Sequence, residues 1–407
     1  MNFPYFLSKR ITRGSHRRFS QLIVRVAIAG IVLGLAVMIL SIAVLKGFKA
    51  EIIQKERNFN GDISIFAQNL NEGYEISPFS IDKEGLEKLL DIDGVAKLEA
   101  YATKPGIINV NDEVEGVVLK GIDSTYEQSR IDAMLIKGKG IDFRNDSVPS
   151  SGQIIISSYT ANRLHLDVGD DFLMFFVQEP LRKRKFTIVG IYNLGLEEVD
   201  KTFVIGDIGV IRRLNNWEEE SIGGYEVFLD DFSQLDLVNE RILDLLPGDL
   251  YAQTVMESFP EIFSWLGLLD INTIIILVLM IVVATINMIS ALLIIILERT
   301  NMIGVLKALG MKNRGIRRMF VYHAIYLIGI GMLLGNVLGI GLCLLQHYTH
   351  LFGLDESSYY VSYVPIMLSW TDVLLLNVGT LFVCIVSLII PSALVAKIDP
   401  IKAIRFK

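Results

Sequence analysis

Five histidines could bind a metal or carry a proton: His16, His165, His323, His347 and His350. Only His347 and His350 stand close in sequence, at i and i+3, and two ligands without a third do not make a metal centre. No HExxH is present and no Cys/His cluster has ligand spacing, so no metal is expected. The phosphate-cradling pattern GxxxxGK[ST] is absent, and the sole Gly-Lys pair, Gly138-Lys139, runs into Gly140. The chain therefore has no Walker A route to ATP hydrolysis. No GxSxG elbow supports a serine nucleophile. An enzyme is not expected.

A different kind of segment stands out. Residues 298–318 form a short amphipathic stretch between two long apolar runs. They hold Arg299, Lys307, Lys312, Arg314, Arg317 and Arg318 against the single acid Glu298. Such a stretch has the chemistry to be pushed by a partner rather than to react.

Composition says what surrounds it. The 407 residues are 52% hydrophobic with a mean hydropathy of +0.46. That combination predicts a membrane protein with a substantial soluble part. Four runs are long and apolar enough to span a hydrocarbon core of ~30 Å: Val26–Leu45, Ile271–Leu297, Met319–Gln346 and Val373–Ala396. His323 is the one ionisable group inside them, one turn from an end, which gives little support to ion- or proton-coupled transport. Asn287, Asn336 and Asn377 read as interhelical hydrogen-bond formers.

Charge sets the expected orientation. Residues 1–25 carry six cations and no acid, and residues 397–407 carry four cations against Asp399. With the 298–318 segment these alternate correctly across four spans, so both termini and that segment are expected to be cytoplasmic. Residues 47–265 hold 21 basic and 39 acidic residues and are expected outside. The cations are thus accounted for by topology, and no nucleic-acid partner is expected. Residues 1–25 read either as an amphipathic surface segment or as a plain basic flank. Both cysteines, Cys343 and Cys384, fall in spans, so the outer region must be stable without a disulfide.

The expected division starts with a 1–25 N-terminal segment, a first span at 26–46, an α/β domain at 47–262, and a stalk and second span at 263–297. The 298–318 segment, a third span at 319–346, a short loop at 347–372, a fourth span at 373–396 and a 397–407 tail complete it. Within the α/β domain, strands are predicted at Asp62–Phe66, Gly106–Val110, Val114–Ile122, Gln153–Ser157, Phe172–Gln178, Lys185–Tyr192, Tyr225–Asp230 and Tyr251–Val255. Helices are predicted at Asp82–Leu90, Tyr159–Leu166 and Ser233–Leu246. In the spans, Gly30 and Gly34, and Gly331, Gly335 and Gly339, recur every four residues and mark close helix packing.

These stretches resemble a known family. The segment ERTNMIGVLKALGMKNRGIRRMF, Glu298 to Phe320, is similar to the coupling helix of FtsX/MacB-type ABC transporter permeases. PSALVAKIDPIKAIRFK, Pro391 to Lys407, resembles their C-terminus. IIISSYTANRLHLDVGDDF and FTIVGIYNLG resemble their periplasmic core domain. Three shorter stretches are most similar to the lipoprotein-releasing LolC/LolE permeases: FLSKRITRGSHRRFSQLIVRVAIAGIVLG, VLKGFKAEI and SSYYVSYVP.

The resemblance implies a four-helix permease subunit of the cell inner membrane, with a periplasmic MacB-like α/β domain between helices 1 and 2. It implies two copies of a separate ATPase that binds ATP and Mg, and a second permease subunit, identical or paralogous. It also implies a lipoprotein substrate drawn from membrane lipid and a periplasmic carrier. In that docking Gly304 allows close approach, Val305, Leu306 and Leu309 fill an apolar groove, Glu298, Arg299 and Lys307 line its rim, and Gly310 belongs to the same segment. The acyl chains would enter a cavity near Met38, Ile42, Leu45, Phe263, Leu266, Leu269 and Ile274. Two other functions fit parts of the pattern: an FtsX-like signalling permease that activates a cell-wall hydrolase, and a MacB-like mechanotransmission exporter.

Overall fold

A computed structural model describes residues 18–67, 77–110, 113–143, 150–389 and 391. Most of the 1–25 segment, the 397–407 tail and nearly all of the Pro391–Lys407 stretch lie outside the described residues. In chain order the elements begin with α1 (Arg18–Asn60), β1 (Ile63–Ala67), α2 (Lys83–Leu90), β2 (Val95–Val110), β3 (Glu113–Ile122), α3 (Gln128–Met134), β4 (Leu135–Gly138) and β5 (Gln153–Ser157). Next come α4 (Ser158–Leu164), β6 (Asp171–Phe176), β7 (Arg182–Tyr192), α5 (Glu197–Thr202), β8 (Phe203–Asp207), α6 (Ile208–Asn215), β9 (Gly224–Leu229), α7 (Leu235–Leu245) and β10 (Leu250–Thr254). The last are α8 (Val255–Ser258), α9 (Pro260–Glu298), α10 (Thr300–Ala308), α11 (Asn313–Thr349), α12 (Glu356–Tyr359) and α13 (Trp370–Ser387).

Contacts divide the chain into two units. The helical unit takes the described parts of Met1–Ala50, Trp265–Gly353 and Tyr363–Lys407, and the α/β unit takes those of Glu51–Ser264 and Leu354–Ser362.

In the helical unit, four helices among the described residues are long and apolar enough to cross a membrane: those at Val24–Asn60, Pro260–Glu298, Asn313–Thr349 and Trp370–Ser387. Their glycines show how they pack. A Cβ at Gly331 would fall 2.8 Å from a methyl of Ile31, one at Gly335 3.1 Å from Leu35 Cβ and Val32 O, and one at Gly339 3.0 Å from Ala36 Cα. The three glycines of α11 therefore form a groove for α1, which brings backbones close enough for dispersion contacts to hold helices in an apolar solvent. Gly30 turns the opposite way, onto the Asn287 amide of α9, and Gly34 faces Met280 and Ala284. Asn336 and Asn377 exchange two amide hydrogen bonds, at 2.7 and 2.8 Å, between α11 and α13. Each also donates to a carbonyl one turn back, Met332 O and Val373 O.

One expected result follows from the groove. Gly335→Leu should lower the melting temperature of the purified protein, because overpacking of a tight contact costs about 1–3 kcal/mol. Gly329→Leu, on the same helix with nothing within 4 Å, should not. Equal melting of the two variants would contradict the packing.

The α/β unit is built on one ten-stranded sheet in the order β10-β1-β9-β2-β3-β8-β5-β7-β4, with β6 pairing both β2 and β7. That double pairing closes β2, β3, β8, β5, β7 and β6 into a ring. Two of its ladders, β3–β8 and β5–β7, are parallel. Inside lie Ile108, Val117, Leu119, Ile154, Ile156, Phe172, Met174, Phe176, Phe186, Ile188 and Val204. A closed ring removes exposed edges, which matters in a domain with no disulfide to hold it.

Helix α1 runs fourteen residues past the expected 46 because its last turns have their own buried stripe. Ile52, Glu56 and Phe59, at i, i+4 and i+7, are 0–1% exposed. Gly61 closes the helix in the left-handed region (φ +71°), its N–H donating to Arg57 O at 3.0 Å. Beside it Arg57 grips the fully buried Asp62 with two hydrogen bonds, at 2.5 and 2.9 Å.

Candidate functional site

The 298–318 segment folds as a bend, a short helix and a second bend. At the first bend Arg299 N–H is shared between Ile295 O and Ile296 O, both at 3.2 Å, and Thr300 Oγ1 donates to Leu297 O at 2.6 Å. Helix α10 ends at Gly310 (φ +90°), where Met311 N–H returns to Leu306 O at 2.9 Å. A left-handed residue is the usual way to stop a helix so abruptly, and glycine adopts it without strain. Lys312 then starts α11.

Helix α10 lies on an apolar bed. Ile303 packs with Ile295, Ile296, Ile316, Met319, Phe320 and Leu327, and Met302, Leu306 and Met311 close its rim. This fixes which residues face out. Val305 is 50% exposed and Leu309 80%. Gly304 is buried and Leu306 half-buried within the chain's own fold. Glu298, Arg299 and Lys307 are half-buried, and Lys312, Arg314 and Arg318 are exposed. The outward surface of this segment thus includes an exposed apolar pair and three exposed cations. It suits an apolar groove with an acidic rim and offers no nucleophile or base.

No group of three His, Cys, Asp or Glu among the described residues could hold a metal. An open surface cavity of about 570 Å³ on the α/β unit is lined by Glu113, Val114, Tyr159, Asn162, Arg163 and His165. Arg163 there is engaged by Glu115 at 2.5 Å, and no reactive pair is assembled.

Two models cover most of the chain. The MacB-like periplasmic core domain matches residues 26–245, more than half of the 407, and the FtsX-like permease C-terminal matches residues 274–400. The chain belongs to the FtsX/MacB-type permease family. The family is one of ABC transporter permease subunits. Similar relatives include the lipoprotein-releasing system transmembrane protein LolE of Haemophilus influenzae, 25% identical over an alignment of 419 positions that covers 98% of each chain. The lipoprotein-releasing system transmembrane protein LolC of Neisseria meningitidis is 24% identical over 99% of each. The macrolide export ATP-binding/permease protein MacB of Wolinella succinogenes is 21% identical over 92% of this chain and 57% of that one.

The residues expected to line an acyl-chain cavity differ in exposure. Met38 is sealed (0% exposed) in a cluster with Leu35, Ile39, Ala43 and Cys343, and Leu266 is also closed off (1%). Ile42, Leu45, Phe263 and Leu269 are half-buried, and Ile274 is exposed. Sequence reasoning missed a pair of ion pairs in the helical unit. Lys46 meets Asp372 at 2.7 Å and Lys49 meets Asp270 at 2.7 Å, so α1 holds α13 and α9 at adjacent turns. Lysines just past an apolar run were legitimate candidates for such pairs, but the partners lie more than 200 residues away.

Within the α/β unit, the turn after β7 holds a buried acid. The Asp200 carboxylate accepts from Leu194 N–H at 3.2 Å and Gly195 N–H at 2.9 Å. Burial pushes its pKa up to about 6 despite those donors, and the nearby Glu356 carboxylate adds to the rise while Lys55 opposes it. A folded-state value above the unfolded one means that the folded state holds the proton more tightly. Its contribution to stability is therefore full below the unfolded value and is lost as pH rises through about 6. Asp200→Asn should remove about 1 kcal/mol of the stability change between about pH 7 and pH 5. Melting curves of both proteins across that window check this, and parallel curves would refute it.

Proposed function

We propose that this chain is the permease subunit of an ABC transporter that extracts lipoproteins from the outer leaflet of the inner membrane and passes them to a periplasmic carrier. The observation that carries the reading is the end-to-end match to LolE and LolC, 98–99% of both chains in each case. MacB fits less well: it is an ATP-binding/permease protein by name, and this chain spans only 57% of it. The exposed Val305 and Leu309, with the exposed Lys312 and Arg314, supply the docking face that a separate ATPase would push.

In this reading ATP and Mg bind on two partner ATPase copies, and the second permease subunit is identical or paralogous. The termini and α10 face the cytoplasm, and the α/β unit, between helices 1 and 2, faces the periplasm. Extraction is costly because each buried CH₂ of an acyl chain holds a lipoprotein by ~0.8 kcal/mol. Removal therefore needs an external energy source and an apolar path.

Native mass spectrometry of the gently solubilised complex tests the assignment. Two ATPase copies with an acylated lipoprotein are expected, and the spectrum also shows whether the second permease is the same chain. A cell-wall hydrolase in place of lipoprotein would overturn extraction in favour of the signalling permease.

A further inference from the structure

Residues 354–362 pack as part of the α/β unit, although the chain delivers them from α11 and returns them to α13. Their seat is built from two places in that unit. From the last turns of α1, Lys55 Nζ donates to Tyr360 O at 2.8 Å and stands 3.7 Å from Glu356 Oε1. From the turn after β7, Asn193 Nδ2 donates to Glu356 Oε2 at 3.1 Å. The Glu356 side chain crosses Gly195 so closely that a Cβ there would fall 2.5 Å from Oε1 and 2.8 Å from Cγ. Gly195 is also in the left-handed region, φ +70°. Tyr360 packs against the cluster that contains Phe59, Tyr192, Leu194 and Leu196.

The fit is specific, yet the hold is light. The only helix in the segment is the four-residue α12. Tyr360 sits at φ +61°, a conformation that costs a non-glycine residue of order 1 kcal/mol. The Lys55–Glu356 pair is long, and both side chains keep contact with solvent, 19% and 34% exposed. Exposed pairs of this kind contribute little, and a short segment whose ion pair is partly open to solvent opens locally at lower cost than a core strand. A segment that is keyed to its seat but weakly retained has the properties of a catch rather than a weld.

Connectivity gives the catch something to respond to. Helix α11 starts at the end of the α10 turn and leads directly into the segment, whereas Lys55 and Phe59 belong to α1. A displacement of α11 against α1 would therefore reach the α/β unit at this seat. We propose that residues 354–362 are a latch that leaves the Lys55–Asn193–Gly195 seat and returns to it in each transport cycle. The proposal rests on the transport reading for its cycle, and on the geometry of the seat for its release.

The test locks the latch shut in the full-length chain assembled with its ATPase. Asn193→Cys and Glu356→Cys are introduced together and joined with a short bifunctional thiosulfonate reagent, the native Cys343 and Cys384 being buried. Cross-linking should cut ATP-driven lipoprotein release by at least about tenfold, leave ATP hydrolysis measurable, and be reversed by a thiol reductant. Undiminished release from the locked protein would overturn the proposal. If the parent complex releases no lipoprotein with ATP, the transport reading fails, and amide exchange then judges the latch. Exchange in 354–362 at least about tenfold faster than in β5 and β7, and faster again in Lys55→Gln, would support a releasing segment. Protection equal to that of β5 would overturn it.

Discussion

Leu309→Asp should leave the protein folded and membrane-inserted while cutting ATP-driven lipoprotein release by at least about tenfold, since 1.4 kcal/mol is worth that factor. Leu309 is 80% exposed at the end of α10, where a substitution disturbs little of its own unit. Surface changes of that sort usually alter stability by less than ~0.5 kcal/mol. If the side chain enters a partner's apolar groove, however, an aspartate there must be desolvated without a counter-ion, and that cost falls on docking. Leu306→Asp is the informative contrast. Leu306 rims the cluster around Ile303, so its replacement should lower thermal stability as well as transport. Arg299→Glu should weaken ATPase retention during purification. Full release from a stably inserted Leu309→Asp protein would remove α10 as the docking element.

That contrast turns on an exposure that the sequence alone does not fix. Val305, Leu306 and Leu309 are all apolar, and in a helix of nine residues the pattern does not fix which side faces out. The phase is set by how α10 rests on Ile295, Ile296 and Ile316, residues of other helices. The four long helices were readable because burial in lipid demands unbroken apolar runs. The Gly331, Gly335 and Gly339 face was readable because a spacing of four keeps one side of a helix bare.

The α/β unit was readable where alternation is apolar and hidden where it is charged. Strand β2 runs from Val95, but only Gly106–Val110 was expected as strand. The missing part carries Glu99 and Lys104, 0% and 2% exposed, at positions where a pattern reader expects apolar side chains. Glu99 is satisfied by Lys97 on its own strand and by Arg130, thirty-one residues away and outside its local sequence window. Strand β8, at the centre of the sheet, is only five residues long and flows directly into α6, so its period is too short to distinguish. The seat of residues 354–362 had no sequence signal, because it joins Lys55, Asn193 and Glu356 across three distant stretches.

A second set of buried charges, in strands β3 and β9, carries the second large effect. Lys120 and Glu226 form an ion pair at 2.5 Å with side chains 4% and 3% exposed. The ammonium also donates to Phe59 O and lies 4.1 Å from the centre of the Phe59 ring, so it caps the last turn of α1. Burial, aided by the Glu226 carboxylate, pushes the Tyr101 and Tyr126 hydroxyls well up, and they stay protonated around the pair. Lys120→Met would leave a buried carboxylate without its cation and a helix-end carbonyl without its donor. Breaking a buried pair on one side costs about 3–5 kcal/mol. For a unit of this size that is a fall of roughly 6–20 °C in the melting temperature. Glu226→Met added to Lys120→Met should recover most of the loss, because the pair's desolvation cost disappears along with its attraction. Recovery should be incomplete, since Phe59 O still lacks a donor, and amide exchange in the last turn of α1 should stay faster than in the parent. A Lys120→Met protein that melts with the parent would mean that the Lys120–Glu226 pair does not anchor the end of α1.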